Sequence, residues 1–161
     1  MKKAMVMVVA VVFLGGLVAL PGFSQEKKVE FSLNLGVATN LDPDDSFSDA
    51  MFTFAPQVDF HVTRGFMISP EVMVITDDSF SFHPLLYPGV LLNYTSKSFF
   101  VGAGFVLPVM FWEGSPDTGD LLPKINIGYR GPHVNVTAYL LTDTHEFLKY
   151  NLIGLSAGYR F

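Results

Sequence analysis

Three groups of residues have the types and spacing to do chemistry. Glu30, Asp59, His61, Glu71, Lys124, Arg130 and Arg160 interrupt otherwise alternating apolar segments. Brought together, such charges can pair with one another, form a catalytic set or conduct ions, and the first of these is the simplest expectation in a narrow interior. Ser79, Ser81, His83, Asp143, His145 and Glu146 contain the residue types of a nucleophile, a base and an orienting acid, the set needed for acyl hydrolysis. They stand in no motif of a lipid-modifying hydrolase, so the chain is not expected to be an enzyme and no catalytic residue is assigned. Asp42-Pro43-Asp44-Asp45 offers carboxylates to a hard cation. It lacks the Asp-x-Asp-x-Asp-Gly order and distal Glu of a calcium loop, so no metal site is assigned either. Without a glycine-rich phosphate loop or a basic stripe with interleaved aromatics, the sequence assigns no cofactor site and no nucleic-acid partner.

The elements that must hold these residues repeat with a period of two. From Val29 to Asn40 the odd positions are Val29, Phe31, Leu33, Leu35 and Val37, and the even ones are Glu30, Ser32, Asn34, Gly36 and Ala38. That is a strand with one oily face. The pattern predicts further strands at Phe52 to Thr63, Phe66 to Thr76, Phe82 to Tyr94, Phe99 to Trp112, Leu121 to Arg130, Val134 to Thr142 and about Leu148 to Phe161, eight in all. Segments of about 9 to 14 residues suit a tilted crossing of a bilayer. Pro56, Pro70, Pro84, Pro88, Pro108 and Pro123 fall inside these strands and each removes a ladder donor, so bulges or locally opened pairings are expected beside them.

The N-terminus reads as an export signal. Lys2 and Lys3 precede an uncharged apolar run from Ala4 to Leu20, and Gly22 and Ser24 are the small residues of a cleavage site. Residues 1–24 are therefore expected to be a cleaved signal peptide, and 25–161 one barrel domain. Removing 24 of 161 residues takes away two of the 10 basic residues and none of the 15 acids, which leaves a formal charge of −7. General affinity for nucleic acid is not expected of such a chain. Cysteine is absent, so neither disulfides nor a lipid-anchoring thiol is available.

Connections alternate in kind. Arg64-Gly65, Thr95-Ser96-Lys97-Ser98 and Gly131-Pro132-His133 make tight turns. The other four links are mostly longer and carry Asp42, Asp44, Asp45, Asp49, Asp77, Asp78, Glu113, Asp117, Asp120, Asp143 and Glu146, which is 11 of the 15 acids. In an antiparallel array the two kinds of link fall at opposite ends. The polar face combines the charges above with Gly36, Gly89, Gly102, Gly104, Gly128, Gly154 and Gly158, a filling for a narrow barrel and a poor lining for an apolar ligand. The apolar face is free of charge through its centre, as a lipid-facing surface must be. Phe31, Phe60, Phe66, Tyr94, Phe99, Tyr129 and Tyr159 gather toward the tight-turn end and Phe52, Phe54, Phe82 and Phe111 toward the other, like two interfacial girdles.

With that pattern, residues 29 to 161 resemble the small outer-membrane barrels of the OmpA and OmpX type. The most specific piece is the end, Gly158-Tyr159-Arg160-Phe161, where a terminal Phe161 preceded by alternating Tyr159, Ala157, Leu155 and Ile153 looks like the assembly signal of that family. The resemblance implies an all-β, eight-stranded antiparallel up-and-down transmembrane β-barrel. It also implies the outer-membrane insertion machinery as partner to the strand ending in Phe161, with lipid and lipopolysaccharide around the barrel. Short turns and both termini would be periplasmic. The expected role is structural or surface-interacting, with a lumen filled by charged and polar side chains. The alternatives are a lipid-modifying enzyme or narrow transporter on the same fold, and a soluble periplasmic ligand-binding barrel. Closure should bring Glu30 and Arg160 together at the tight-turn end, with Arg130 competing for the same carboxylate.

Overall fold

The computed structural model describes residues 29–41, 48–76, 85–112, 115–143 and 151–161. The expected signal peptide and its cleavage point, the Asp42–Asp45 carboxylates, Ser79, Ser81, His83, Pro84, Glu113, His145 and Glu146 lie outside them. The strands are β1 (Val29–Leu41), β2 (Ser48–His61), β3 (Phe66–Thr76), β4 (Leu85–Ser96), β5 (Phe99–Val106), β6 (Val109–Trp112), β7 (Ser115–Thr118), β8 (Leu122–Arg130), β9 (Val134–Thr142) and β10 (Asn151–Arg160). All pair antiparallel. The order β3-β2-β1-β10-β9-β8-β5-β4 returns to β3 through the β3–β4 ladder, which makes a closed barrel of eight staves.

One expected strand is divided: the fifth breaks at Leu107-Pro108 into β5 and β6, while the expected sixth is β8 and β7 is an added short strand in the connection before it. Pro108 has no N–H, so the ladder stops donating there. Its carbonyl still accepts from Gly119 at 3.0 Å, and Leu107 donates to Pro88 at 2.9 Å. Beyond the break, β6 and β7 form a hairpin tied to β4 through Leu86 and Val109. Asp117, expected in a loop, is therefore a strand residue opposite Met110. The last strand is described from Asn151, and Leu148 to Tyr150, expected at its start, lie outside the described residues.

The other strand prolines are absorbed without loss of register. Pro56 lies opposite Leu33 in one ladder, and Pro70 and Pro88 lie opposite Val90 and Val72 in another. The β2–β3 ladder thins between them: it runs continuously from Phe52↔Thr76 to Phe54↔Val74, then touches only at Gln57↔Glu71 before Phe60↔Ile68. Both strands lack a donor in that stretch, at Pro56 and Pro70, which is the physical reason. Among the described residues only Ala38/Asn40 shifts register, in β1.

The tight turns hold as their composition suggests. Lys97 and Ser98 link Ser96 to its partner Phe99, and Lys97 has φ 55°, the positive value that a two-residue hairpin demands at its first central position. Gly131 donates to Val134 at 2.7 Å to close the third turn. The seam between β1 and β10 pairs from Ser32↔Arg160 to Leu41↔Asn151 and continues past the strand, where the Phe161 N–H donates to the Phe31 carbonyl at 3.0 Å.

Candidate functional site in the barrel lumen

Strand alternation sends one set of side chains outward and the other into the lumen. Outside, Leu35 is 64% exposed, Phe99 66%, Ile127 60% and Leu155 58%. An apolar surface that wraps a whole barrel far exceeds what a water-soluble monomer shows. At the tight-turn end its aromatics touch in pairs: Phe66 with Tyr94 at 5.2 Å between ring centroids, Phe99 with Tyr129 at 5.8 Å, Tyr159 with Phe161 at 5.0 Å and Phe31 with Phe161 at 5.7 Å. Phe52 and Phe54 are exposed nearer the other end. Phe82 and the Phe111 side chain lie outside the described residues.

Inside, all seven candidate charges are brought into two clusters. Glu30 accepts from Arg130 at 2.6 Å and from Arg160 Nε at 3.0 Å, both on Oε2, while His61 Nε2 stands 3.6 Å from Oε1. Arg130 also reaches Asp59 at 3.0 Å, and Gln57 donates to Asp59 at 2.6 Å. The expected contact across the closing seam and its competitor both form, and two guanidiniums share one carboxylate. This network sits at the tight-turn mouth, anchored further by Arg160 Nη2 donating to the Pro132 carbonyl at 2.9 Å. Its guanidinium and carboxylate groups are already engaged with one another, an arrangement that fills the lumen instead of holding an ion.

The second cluster lies deeper. Lys124 donates to Glu71, both side chains are at most 4% exposed, and the ammonium also stands 4.7 Å from the Tyr139 ring centroid. Around it run cross-strand rows in which two asparagines flank a glycine. Asn93, Gly102 and Asn126 are register partners across β4, β5 and β8. Asn34, Gly158 and Asn135 repeat the arrangement across β1, β10 and β9. A Cβ at either glycine would sit on both flanking amide oxygens. Glycine is required here because the amides occupy the space above its backbone. A cavity of about 20 Å³ between Asn34, Glu71, Lys124 and Asn126 has room for one water.

Toward the opposite end the lumen is not polar, and this corrects the expectation of a charged and polar filling throughout. Ala38, Ala55, Met73, Ile75, Val106, Tyr139 and Leu141 form a buried apolar cluster, flanked by Met51, Leu85, Tyr87, Leu122 and Leu152. The sequence does carry a signal for it. Val72-Met73-Val74-Ile75 and Ala138-Tyr139-Leu140-Leu141 are continuous apolar runs, which mark strands buried on one face and oily on the other. Above this layer opens a cavity of about 220 Å³ that Asp143 helps to line. Asp143 is the one member of the hydrolase-type group within the described residues.

No family model matches the chain, and no curated protein matches it. Solved structures do. Neisserial surface protein A is similar with a TM-score of 0.56 at 13% identity, over 83% of this chain and 96% of that one. The N-terminal β-barrel domain of Pseudomonas aeruginosa OprF gives a TM-score of 0.49 at 10% identity, over 82% and 97%. A designed transmembrane β-barrel gives 0.49 at 14%, over 86% and 100%. The chain has the closed, antiparallel, eight-strand fold of the small outer-membrane barrels.

Proposed function

We propose that this eight-strand barrel resides in the bacterial outer membrane as a non-conducting structural protein, with its acidic end outside and both termini periplasmic. The observation that carries the reading is the inversion of polarity between its two faces. Leu35, Ile127 and Leu155 point outward and exposed while Glu71, Lys124, Asn93 and Asn126 are buried inside. In water that arrangement wastes apolar area, whereas in a bilayer it is the arrangement of lowest free energy. Ion conduction is disfavoured by the lumen. A pore would have to pass the Glu30–Arg130–Arg160 network, the Lys124–Glu71 pair and then the Met73–Tyr139 layer.

The orientation follows from link length and charge, with long acidic connections opposite the tight turns, as in outer-membrane barrels. Partners consistent with the reading are lipid and lipopolysaccharide along the wall, and the insertion machinery at the strand ending in Phe161. The charged side chains of the two lumen clusters are engaged with one another. The test is labelling of intact cells with a membrane-impermeant thiol reagent. Asp117→Cys should react and Lys97→Cys should not. Reaction at Lys97→Cys instead would invert the topology, and stable conductance steps from the purified protein in a planar bilayer would overturn the non-conducting role.

A further inference from the structure

The cavity at the acidic end of the lumen has walls of two kinds. Ile75, Tyr87, Leu141 and Leu152 supply apolar surface, and Asn151 and Asp143 supply polar groups. Its volume is about 220 Å³. An apolar protein cavity of about 150 Å³ is enough to bind benzene, so this one has room for a ring with a short side arm. Asn151 is only 4% exposed, yet its Oδ1 has no hydrogen-bond donor among the described residues. A buried acceptor left without a donor carries a desolvation cost that a ligand with an N–H or O–H would recover. The field selects between those donors. Asp143 stands on the wall, and in the sequence the connections at this end are rich in Asp and Glu. Focused negative potential of that kind favours a cation.

We infer that the acidic mouth of the barrel is a binding site for a small amphiphilic amine: an apolar ring or short chain seated on Ile75, Leu141 and Leu152, with its ammonium donating to Asn151 beside Asp143. The site is a property of the lumen and goes beyond the structural role proposed above. It needs the barrel to fold, and it does not depend on which end faces the cell exterior. The apolar lining orients the ligand, the orphan acceptor fixes the depth of its head, and the apolar layer below prevents passage. Binding without transport is the consequence.

The probe is 2-phenylethylamine titrated by calorimetry into the full barrel in phosphatidylcholine nanodiscs, with empty nanodiscs subtracted. One-to-one saturable binding is expected, at least tenfold tighter than for 2-phenylethanol. Asn151→Leu should weaken both ligands about tenfold, because either one donates to its Oδ1, while the preference for the amine persists. Leu152→Phe should fill the cavity from its half-buried rim and weaken both ligands. Each variant is first checked for an unchanged folded-form band on unheated gels. Should Asn151→Leu fail to fold, Asn151→Asp takes its place, with tighter amine binding expected. Absence of saturable binding, equal affinity for amine and alcohol, or binding untouched by Leu152→Phe would each overturn the proposal. Normal membrane insertion with no amine binding would reject this site and leave the structural reading standing.

Discussion

Replacing Lys124 with Met tests whether the lumen is held by compensating charge. Lys124 is 4% exposed and Glu71 3%, and they bond directly. Removing the ammonium leaves a carboxylate sealed in the barrel, and breaking one side of a buried pair costs about 3–5 kcal/mol. Two unit charges about 4 Å apart at an effective dielectric constant near 20 interact by about 4 kcal/mol, which falls in the same range. Loss of the ammonium over the Tyr139 ring adds to the cost in the same direction. Lys124→Met should therefore destabilise the barrel by about 4 kcal/mol. The double variant Lys124→Met/Glu71→Leu should recover most of that, since replacing a whole buried pair by apolar groups is often neutral or stabilising. The assay is urea unfolding in lipid vesicles, followed by the fluorescence of Trp112, the only tryptophan in the sequence. With a urea slope of about 2 kcal/mol per molar, the single variant should lower the midpoint by about 2 M. A single variant that costs under about 1 kcal/mol, or a double variant no better than the single, would refute the pairing argument.

Gly102→Ala should destabilise by about 1–3 kcal/mol, because its Cβ would land on the Asn93 and Asn126 amide oxygens from both sides. Gly119→Ala, where the nearest atom is Pro108 Cβ at 3.4 Å, should stay within about 0.5 kcal/mol in the same urea titration. Equal effects at the two sites would show that the amides move aside freely. Deleting Phe161 removes the hydrogen bond to the Phe31 carbonyl and the ring contacts with Phe31 and Tyr159. Cell fractionation should then find the protein in the periplasm, and undiminished membrane insertion would count against an assembly role for this residue.

The wall of the barrel was legible because period-two alternation writes each face into the sequence. Leu33, Leu35 and Val37 against Ser32, Asn34 and Gly36 cannot be slipped by one residue without exchanging the faces. The closing salt bridge was legible for the same reason: phase and strand direction put Glu30 and Arg160 on one face at one end. Less could be read where alternation carries no contrast. Met73, Ile75 and Leu141 point inward within runs that are apolar on both sides, so the oily half of the lumen is hidden in a continuous hydrophobic stretch. Pro108 announced a lost donor but not its consequence. Pro70, Pro88 and Pro123 also lack a donor and keep their register, and only Pro108 coincides with a break in its strand. The Asn–Gly–Asn rows required registers across three strands, which no spacing along one strand can supply.

Whether the exposed apolar face meets lipid decides where this barrel resides, and Leu35 is the place to measure it. It lies at the centre of β1, 64% exposed, between Phe54 and Ala157. A Leu35→Trp variant carrying Trp112→Phe has one tryptophan at that point. Reconstituted with lipids brominated at mid-chain, its fluorescence should be strongly quenched, while aqueous iodide should have little effect. Ready quenching by iodide and none by brominated lipid would mean that this face meets water, and the membrane-barrel account would be contradicted.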